Sequence, residues 1–401
     1  MDLSSGYPFW LIKNGLPFNY PKLEQSVETE VAILGGGISG ALAAYYLVNA
    51  GIKCMVLDAR TIGLGSTCAS TSLLQYEIDT PLSELKNLIG YDNAVRSYQL
   101  CANAIETINS ISKKINYKEF KASKSLYYAA HEKDISFLKD EFEIRKKNGF
   151  IVKFLSPTQL KKQFNISAPG AILSDCAATI NSYSFMHALH QHSIKKGMKI
   201  FDRTPIKNIK HRKKNVKLIT ENGNTILANK LIYATGYEVV EFLKKDIVKL
   251  HSTYATISEQ ANAKIKFWKD DVVIWNTAEP YLYMRTTQDH RILVGGRDEE
   301  FYDPKKRDML IEKKKNQLVE DFKNIFPSIE FKPEFTWTGT FGATKDGLPL
   351  IGPYSPLPNS YFALGFGGNG ITFSLIAAEI ITDLITGKTN NDAEIFSFDR
   401  L

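Results

Sequence analysis

Val31-Ala32-Ile33-Leu34-Gly35-Gly36-Gly37-Ile38-Ser39-Gly40 is an apolar run that breaks into a glycine turn and continues as a helix-forming segment. The pattern predicts a strand, a tight turn and a helix N-terminus arranged around a dinucleotide. Gly35 makes the turn, Gly37 lets the backbone approach a pyrophosphate, and Gly40 lets the helix pack closely on the strand. The helix N-terminus adds unpaired N–H groups and partial positive charge for the phosphates. Outward from this stretch, a second β run at residues 53–57 ends in Asp58, about 20 residues past the glycines, where a carboxylate takes both ribose hydroxyls and disfavours a 2′-phosphate. Two other readings exist: a glycine turn in an ordinary βαβ unit, and a bilayer-crossing helix, since residues 31–52 carry no charge until Lys53. The glycines at the start of the stretch argue against the span.

Composition sets the frame. With 401 residues, 44% hydrophobic and 23% charged, the chain is globular and long enough for two cores. Its first ten residues lack a basic region followed by an apolar one, so no secretory signal is expected. Cys54, Cys68, Cys101 and Cys176 are scattered, which suggests neither a disulfide framework nor a zinc site and fits a reducing cytoplasm. The net charge of +7 comes largely from lysine-rich runs such as Lys210-His211-Arg212-Lys213-Lys214 and Lys313-Lys314-Lys315. These lack the interleaved aromatics of a nucleic-acid groove and read as solvated faces. His187, His190 and His192 have no cysteine or acidic partner nearby, so helix surface is expected there and no metal.

Along the chain, residues 7–28 read as an extended arm. The uncharged loop Gly63-Leu64-Gly65-Ser66-Thr67-Cys68-Ala69-Ser70-Thr71 is suited to lie against a flat ligand. Helical periodicity marks residues 92–113 and a charged helix residues 132–148, with a strand at 125–129 between them. A helix over 182–196 leads to strands near 206 and at 216–220, a hairpin turn at Asn222-Gly223, and Lys230-Leu231-Ile232-Tyr233-Ala234-Thr235-Gly236. Period-two alternation puts Tyr281, Tyr283 and Arg285 on one strand face, and Arg291, Leu293 and Arg297 on one face of the next. A face carrying tyrosine and arginine suits a polar pocket for a carboxylate as well as it suits an exposed sheet. Gly365-Phe366-Gly367-Gly368-Asn369-Gly370-Ile371-Thr372 repeats the opening logic, a glycine turn feeding an apolar helix.

Taken together, Gly35 to Gly40 with Asp58, the Gly65-Ser66-Thr67 loop, Ala234-Thr235-Gly236, Asp346-Gly347-Leu348-Pro349 and Gly365 to Thr372 occur in an order that resembles the glycine oxidase/D-amino acid oxidase (DAO) family of FAD-dependent oxidoreductases. The resemblance implies an α/β fold: a Rossmann-like FAD-binding domain of the DAO/glutathione-reductase type, and a second, α+β substrate domain built on an antiparallel sheet. Residues 1–85, 170–245 and 336–401 would form the first, and 86–169 with 246–335 the second. It assigns Gly35, Gly37, Ile38, Ser39, Gly40, Asp58, Ala59, Arg60, Gly65, Ser66 and Thr67 to the ADP and pyrophosphate. Ile206 would meet the adenine, and Ala234, Thr235, Gly236, Gly342 and Asp346 would complete the cofactor site. Gly367, Gly368, Asn369, Gly370, Ile371 and Thr372 would face the pyrimidine end of the isoalloxazine.

The implied chemistry is hydride transfer from an amine-bearing carbon to the flavin, giving an imine that water hydrolyses. Arg285, Tyr283 and Tyr254 would orient an amine or amino-acid substrate, with Arg285 as the first candidate for a substrate carboxylate and Arg291 or Arg297 as the next, and the helix beginning near Asn369 would stabilise negative charge. Two departures separate the chain from the sarcosine oxidases of that family. No cysteine follows Cys176, and Gly339 stands where those enzymes attach flavin, so FAD is expected to be noncovalent. Leu293 stands where they carry an oxygen-activating lysine, which leaves the electron acceptor open between oxygen and another carrier.

Overall fold

The computed structural model describes residues 1–241, 243 and 247–400. Its organising strand is Val27–Leu34, whose last four residues are buried. It pairs in parallel with Cys54–Leu57 on one side and Thr225–Tyr233 on the other. Lys199–Phe201 extends the sheet beyond the former and Ser360–Leu364 beyond the latter, both in parallel. Continuous apolar runs are what a parallel sheet covered on both faces requires. Here the helix Ile38–Asn49 lies over the strands and is itself covered by Ser182–Lys195 and Gly370–Ile385. Burial among these elements explains the missing charges of residues 31–52, and among the described residues no helix is long and apolar enough to cross a membrane. The hairpin at Asn222-Gly223 joins Val216–Thr220 to Thr225–Tyr233 as expected.

Among the described residues the second sheet has ten strands and is almost wholly antiparallel. The exception is the parallel pair Val273–Asn276 and Lys121–Tyr128. At its centre Lys249–Ser258 pairs with Pro333–Ala343 and with Ile292–Glu299, which in turn pairs with Tyr283–Thr286. Alternation divides the faces: Tyr254, Met284 and Val294 pack in one cluster with Leu318 and Phe322 of the helix Ile311–Ile325. Thr253, Tyr283 and Trp337 turn the other way, into a cavity shared with the first sheet. Sheet membership departs from the expected division of the chain. Ser4–Gly6, Leu73–Gln75, Ala171–Thr179 and most of Pro333–Ala343 come from segments assigned to the FAD-binding domain, yet they are strands of the ten-stranded sheet.

The histidines depart from expectation too. His187 and His190 are buried, and His190 Nε2 lies 2.9 Å from the Gly36 carbonyl. A carbonyl only accepts, so Nε2 carries the proton. Burial pulls the His190 pKa down to about 4, so a neutral imidazole supports the glycine turn. The described residues contain no cluster of ligands that could hold a metal.

Candidate active site

The opening stretch forms the turn its glycines predict. Gly35 has φ of +101°, and a Cβ there would lie 2.3 Å from the Ala234 carbonyl oxygen. A Cβ on Gly40 would come 1.9 Å from the Gly35 carbonyl oxygen, so the helix sits on the strand too closely for any side chain. Gly40 therefore serves packing and does not line the cavity. Gly37 is the N-cap and supplies no capping side chain; a Cβ on it would approach the Thr67 hydroxyl at 2.9 Å. That hydroxyl accepts the Ile38 N–H at 3.0 Å.

Asp58 follows the second strand and fastens the turn. Its Oδ2 accepts the Gly36 N–H at 2.7 Å and its Oδ1 the Arg60 N–H at 2.8 Å. Burial raises its pKa, while those two N–H groups oppose the rise. Each carboxylate oxygen has a second lone pair left for a ribose hydroxyl. The Arg60 guanidinium pairs with Glu238 at 3.0 Å and donates to the Met1 carbonyl at 2.9 Å.

One cavity of about 530 Å³ runs from this turn to the inner face of the ten-stranded sheet. Gly35, Gly37, Ile38, Ser39, Asp58, Ala59, Arg60, Gly65, Ser66, Thr67, Ile206, Ala234, Thr235 and Gly236 line its first half. Gly367, Gly368, Asn369, Gly370 and Ile371 line the second half with Tyr283. The residues fit FAD on structural grounds. The hydroxyls of Ser66 and Thr235 are buried in the wall without a partner. Neither Ile38–Asn49 nor Gly370–Ile385 is capped by its own N-cap side chain, so helix N-termini at both halves are left for anionic groups.

Several assigned residues lie elsewhere. Gly342 falls outside the cavity, tight against Val248 and Tyr237. Asp346 accepts from Arg400 at 2.8 Å and from the Leu348 N–H at 3.0 Å, closing a turn. Thr372 donates back to the Asn369 carbonyl within its helix. The Asn369 amide does not point at a reacting centre; it donates to the carbonyls of Gln75 and Glu77. Tyr254 occupies the far face of its strand, and its hydroxyl donates to the Arg307 carbonyl.

Arg285 is the largest correction. It does share a strand face with Tyr281 and Tyr283, but it lies beneath the wall, 3% exposed. Its guanidinium donates to the carbonyls of Thr71, Ser72 and Ile180 and sits 5.5 Å from the Trp10 ring centroid. Burial lowers its pKa to about 9. Nη1 and Nε are committed to backbone carbonyls and the side chain does not line the cavity, so no carboxylate anchor forms there.

Two residues missed in the sequence stand out on the wall. Asp79 accepts the Gly368 N–H at 2.7 Å and the Tyr281 hydroxyl at 3.3 Å, and burial raises its pKa against both bonds. Asp298 reaches the cavity through a β-bulge. The pairing of Lys249–Ser258 with Ile292–Glu299 shifts register between Ser252 and Tyr254, and Arg297 takes φ of +58°. Arg297 is thereby turned out to Asp321, and Asp298 takes the inward place that strict alternation gives to Arg297. Burial lifts Asp298 to a pKa of about 7, with the nearby Asp79 charge adding to the rise and the Thr253 hydroxyl opposing it.

Residues 30–384 match the family model described as FAD dependent oxidoreductase, DAO. The chain is 22% identical to the probable oxidoreductase OrdL of Haemophilus influenzae, over 92% of this chain and 86% of that protein. It is 23% identical to the glycine oxidase of Bacillus subtilis, over 92% and 96% respectively. The L-proline dehydrogenase structure from P. horikoshii superposes with a TM-score of 0.79 at 20% identity, covering 93% of this chain and 97% of the other. A family match over most of the chain, on a cavity whose two halves suit the two ends of FAD, identifies the protein as a member of the DAO family of FAD-dependent oxidoreductases.

Proposed function

We propose that the protein oxidises the C–N bond of an amine or amino acid held against the inner face of the ten-stranded sheet. The observation that carries this reading is the continuity of the cavity. The same space is walled by the dinucleotide turn at one end and by Trp275, Tyr281, Tyr283, Asp79 and Asp298 at the other. FAD, when bound, supplies a two-electron acceptor that takes the hydrogen of the amine-bearing carbon with its electron pair, leaving an imine for water to hydrolyse. Ser66, Thr67 and Asp58 would hold its nucleotide side, and the N-terminus of Gly370–Ile385 would offset negative charge at the other end.

The protein's contribution is then orientation and exclusion of water. Tyr283 lies against Gly295, where a Cβ would collide with its ring at 2.3 Å, so Gly295 fixes where the ring stands. Tyr281 is held by Asp79. The Asn369 amide ties the glycine turn to the segment carrying Glu77, and Glu77 is itself matched by buried Arg145 at 3.3 Å.

For the acceptor, a carrier other than oxygen is favoured by the wall. Leu293 is fully buried, and no lysine is among the described residues that line the cavity. Anaerobic mixing of the holoenzyme with a panel of amines and amino acids tests the reaction. Loss of the flavin absorbance with a panel member supports it, and an oxidised spectrum throughout, in protein that dithionite bleaches, refutes it. Adding oxygen to the bleached enzyme by stopped flow separates oxidase from dehydrogenase.

A further inference from the structure

The sheet end of the cavity has the wrong charge for an amino acid's carboxylate. Arg60 is the only arginine or lysine side chain among the described residues of the wall, and it lies at the nucleotide end, paired with Glu238. Arg285 lies off the wall, its Nη1 bonded to backbone carbonyls. Arg291 pairs with Asp289 and Glu334, and Arg297 with Asp321. The Gly368 N–H, a donor an anion could use, is taken by Asp79.

What faces the substrate space there is acidic and aromatic. Asp79 lies close enough for Asp298 to feel its charge, and Asp298 Oδ1 is buried without a hydrogen-bond partner. Trp275 and Tyr281 meet edge to face at 6.1 Å, and Tyr281 and Tyr283 lie 5.8 Å apart. Aromatic faces attract cations. Two neighbouring carboxylates in a partly desolvated wall leave one reluctant to ionise unless a cation joins them. The other charged groups near the pair do not supply it. Lys314 approaches from the helix side and is matched by Glu299 at 2.6 Å, and burial lowers the pKa of His251, near Asp79.

We infer that Asp298 and Asp79, with the rings of Trp275, Tyr281 and Tyr283, form a cation site that selects an amine substrate with no carboxylate beside its nitrogen. This rests on the amine-oxidation reading above and narrows it. An α-carboxylate would be placed against two acids with no donor to satisfy it, so the same wall that attracts the amine repels the amino acid. Asp298, as the carboxylate, accepts one proton from the bound ammonium. R–CH2–NH3⁺ and the carboxylate become R–CH2–NH2 and the carboxylic acid, with net charge unchanged. The freed nitrogen lone pair is the pair that forms the C=N bond as hydrogen leaves the carbon with its electrons.

The test has a binding arm and a turnover arm, both on holoenzyme. In the first, tert-butylammonium and pivalate, of similar shape and opposite charge and with no oxidisable C–H beside the nitrogen or carboxylate, are titrated against the flavin spectrum. The cation should perturb it with an affinity at least about 30-fold above the anion's, and Asp298→Asn should lose that preference while keeping its FAD. Asp298→Glu should restore part of it. Equal or tighter binding of pivalate, no perturbation by the cation, or an unchanged preference in Asp298→Asn overturns the cation site. In the second arm, phenethylamine with phenylalanine, isopentylamine with leucine, and ethylamine with alanine are compared by anaerobic bleaching. The amines should bleach the flavin faster than their carboxylated partners. Faster bleaching by the amino acids overturns the inference and leaves amine oxidation standing. Bleaching by none, with the binding arm positive, overturns amine oxidation and leaves the cation site.

Discussion

Arg285 donates from Nη1 to the Ser72 carbonyl at 2.6 Å, joining the ten-stranded sheet to the loop that lines the middle of the cavity. Together with its bonds to Thr71 and Ile180, this makes the side chain a clamp on backbone. Truncating it removes the Nη1 donor that serves the Thr71 and Ile180 carbonyls, at roughly 1–3 kcal/mol each, while the Ser72 carbonyl keeps the Ile180 N–H. Arg285→Met should therefore lower stability to urea by about 3–5 kcal/mol and weaken FAD retention. Turnover of a carboxylated substrate and of its decarboxylated partner should fall by the same factor. A selective loss on the carboxylated member would return Arg285 to the substrate.

Gly37 and Gly40 sit in one turn and should fail differently. At Gly37 a new side chain meets a single hydroxyl, that of Thr67, and the backbone conformation suits any residue. Gly37→Val should fold, with a far-UV spectrum and melting like those of apoprotein, yet show no flavin absorbance, because its methyls occupy the pyrophosphate approach. At Gly40 the new Cβ meets the backbone carbonyl of Gly35 at the end of the strand, which cannot move aside. Gly40→Ala should cost upwards of about 3 kcal/mol and give insoluble or non-cooperative protein. A yellow Gly37→Val, or a Gly40→Ala as stable as the parent, contradicts these assignments.

The dinucleotide half was legible because its determinants are local. Gly35, Gly37, Gly40 and Asp58 act through turn geometry and a strand-to-helix junction, both of which spacing encodes. The substrate half was not, and Arg285 and Asp298 show why. Alternation correctly put Arg285 on the face of Tyr281 and Tyr283, but a face does not tell how deep a residue lies, and Trp10 with the loop at Thr71 covers it. For Asp298 the alternation itself failed, because the bulge at Arg297 inserts one residue. The signal available was Gly295-Gly296 inside a strand, a common mark of a bulge. Asp79 had no such signal, since its partners Gly368 and Tyr281 are far from it in the chain.

FAD should come away without a bond being broken. Neither cysteine nor histidine is among the described residues of the wall. Cys68, the nearest thiol in the chain to the Ser66–Thr67 loop, turns its Sγ to the Gly65 carbonyl. Burial pushes that thiol up to about 11, so it carries almost no thiolate at neutral pH. Acid precipitation of holoenzyme should leave a colourless pellet and put FAD in the supernatant. Colour that stays in the pellet, and with a peptide after digestion, would show a covalent link.

Asp298 gives the sharpest dependence on pH, and its sign is fixed. Its pKa is about 7 in the folded chain and about 3.9 in an unfolded one. Between those values the folded state holds the proton and the unfolded state does not, so this group's contribution to stability falls as pH rises through that window and is level above it. The shift of about three units corresponds to roughly 4 kcal/mol at most, which water in the open cavity cuts to about 1–2 kcal/mol. Asp298→Asn removes the penalty by placing a neutral amide where the carboxylate ionises. In apoprotein, urea titrations at pH 5 and pH 8 should show the variant gaining stability relative to the parent on going from the lower pH to the higher. Groups away from the Asp79–Asp298 pair titrate alike in both proteins and cancel in the difference. A stability difference of the same size at both pH values would mean that Asp298 is already ionised at pH 5, and a variant that loses ground at pH 8 would contradict the raised pKa outright.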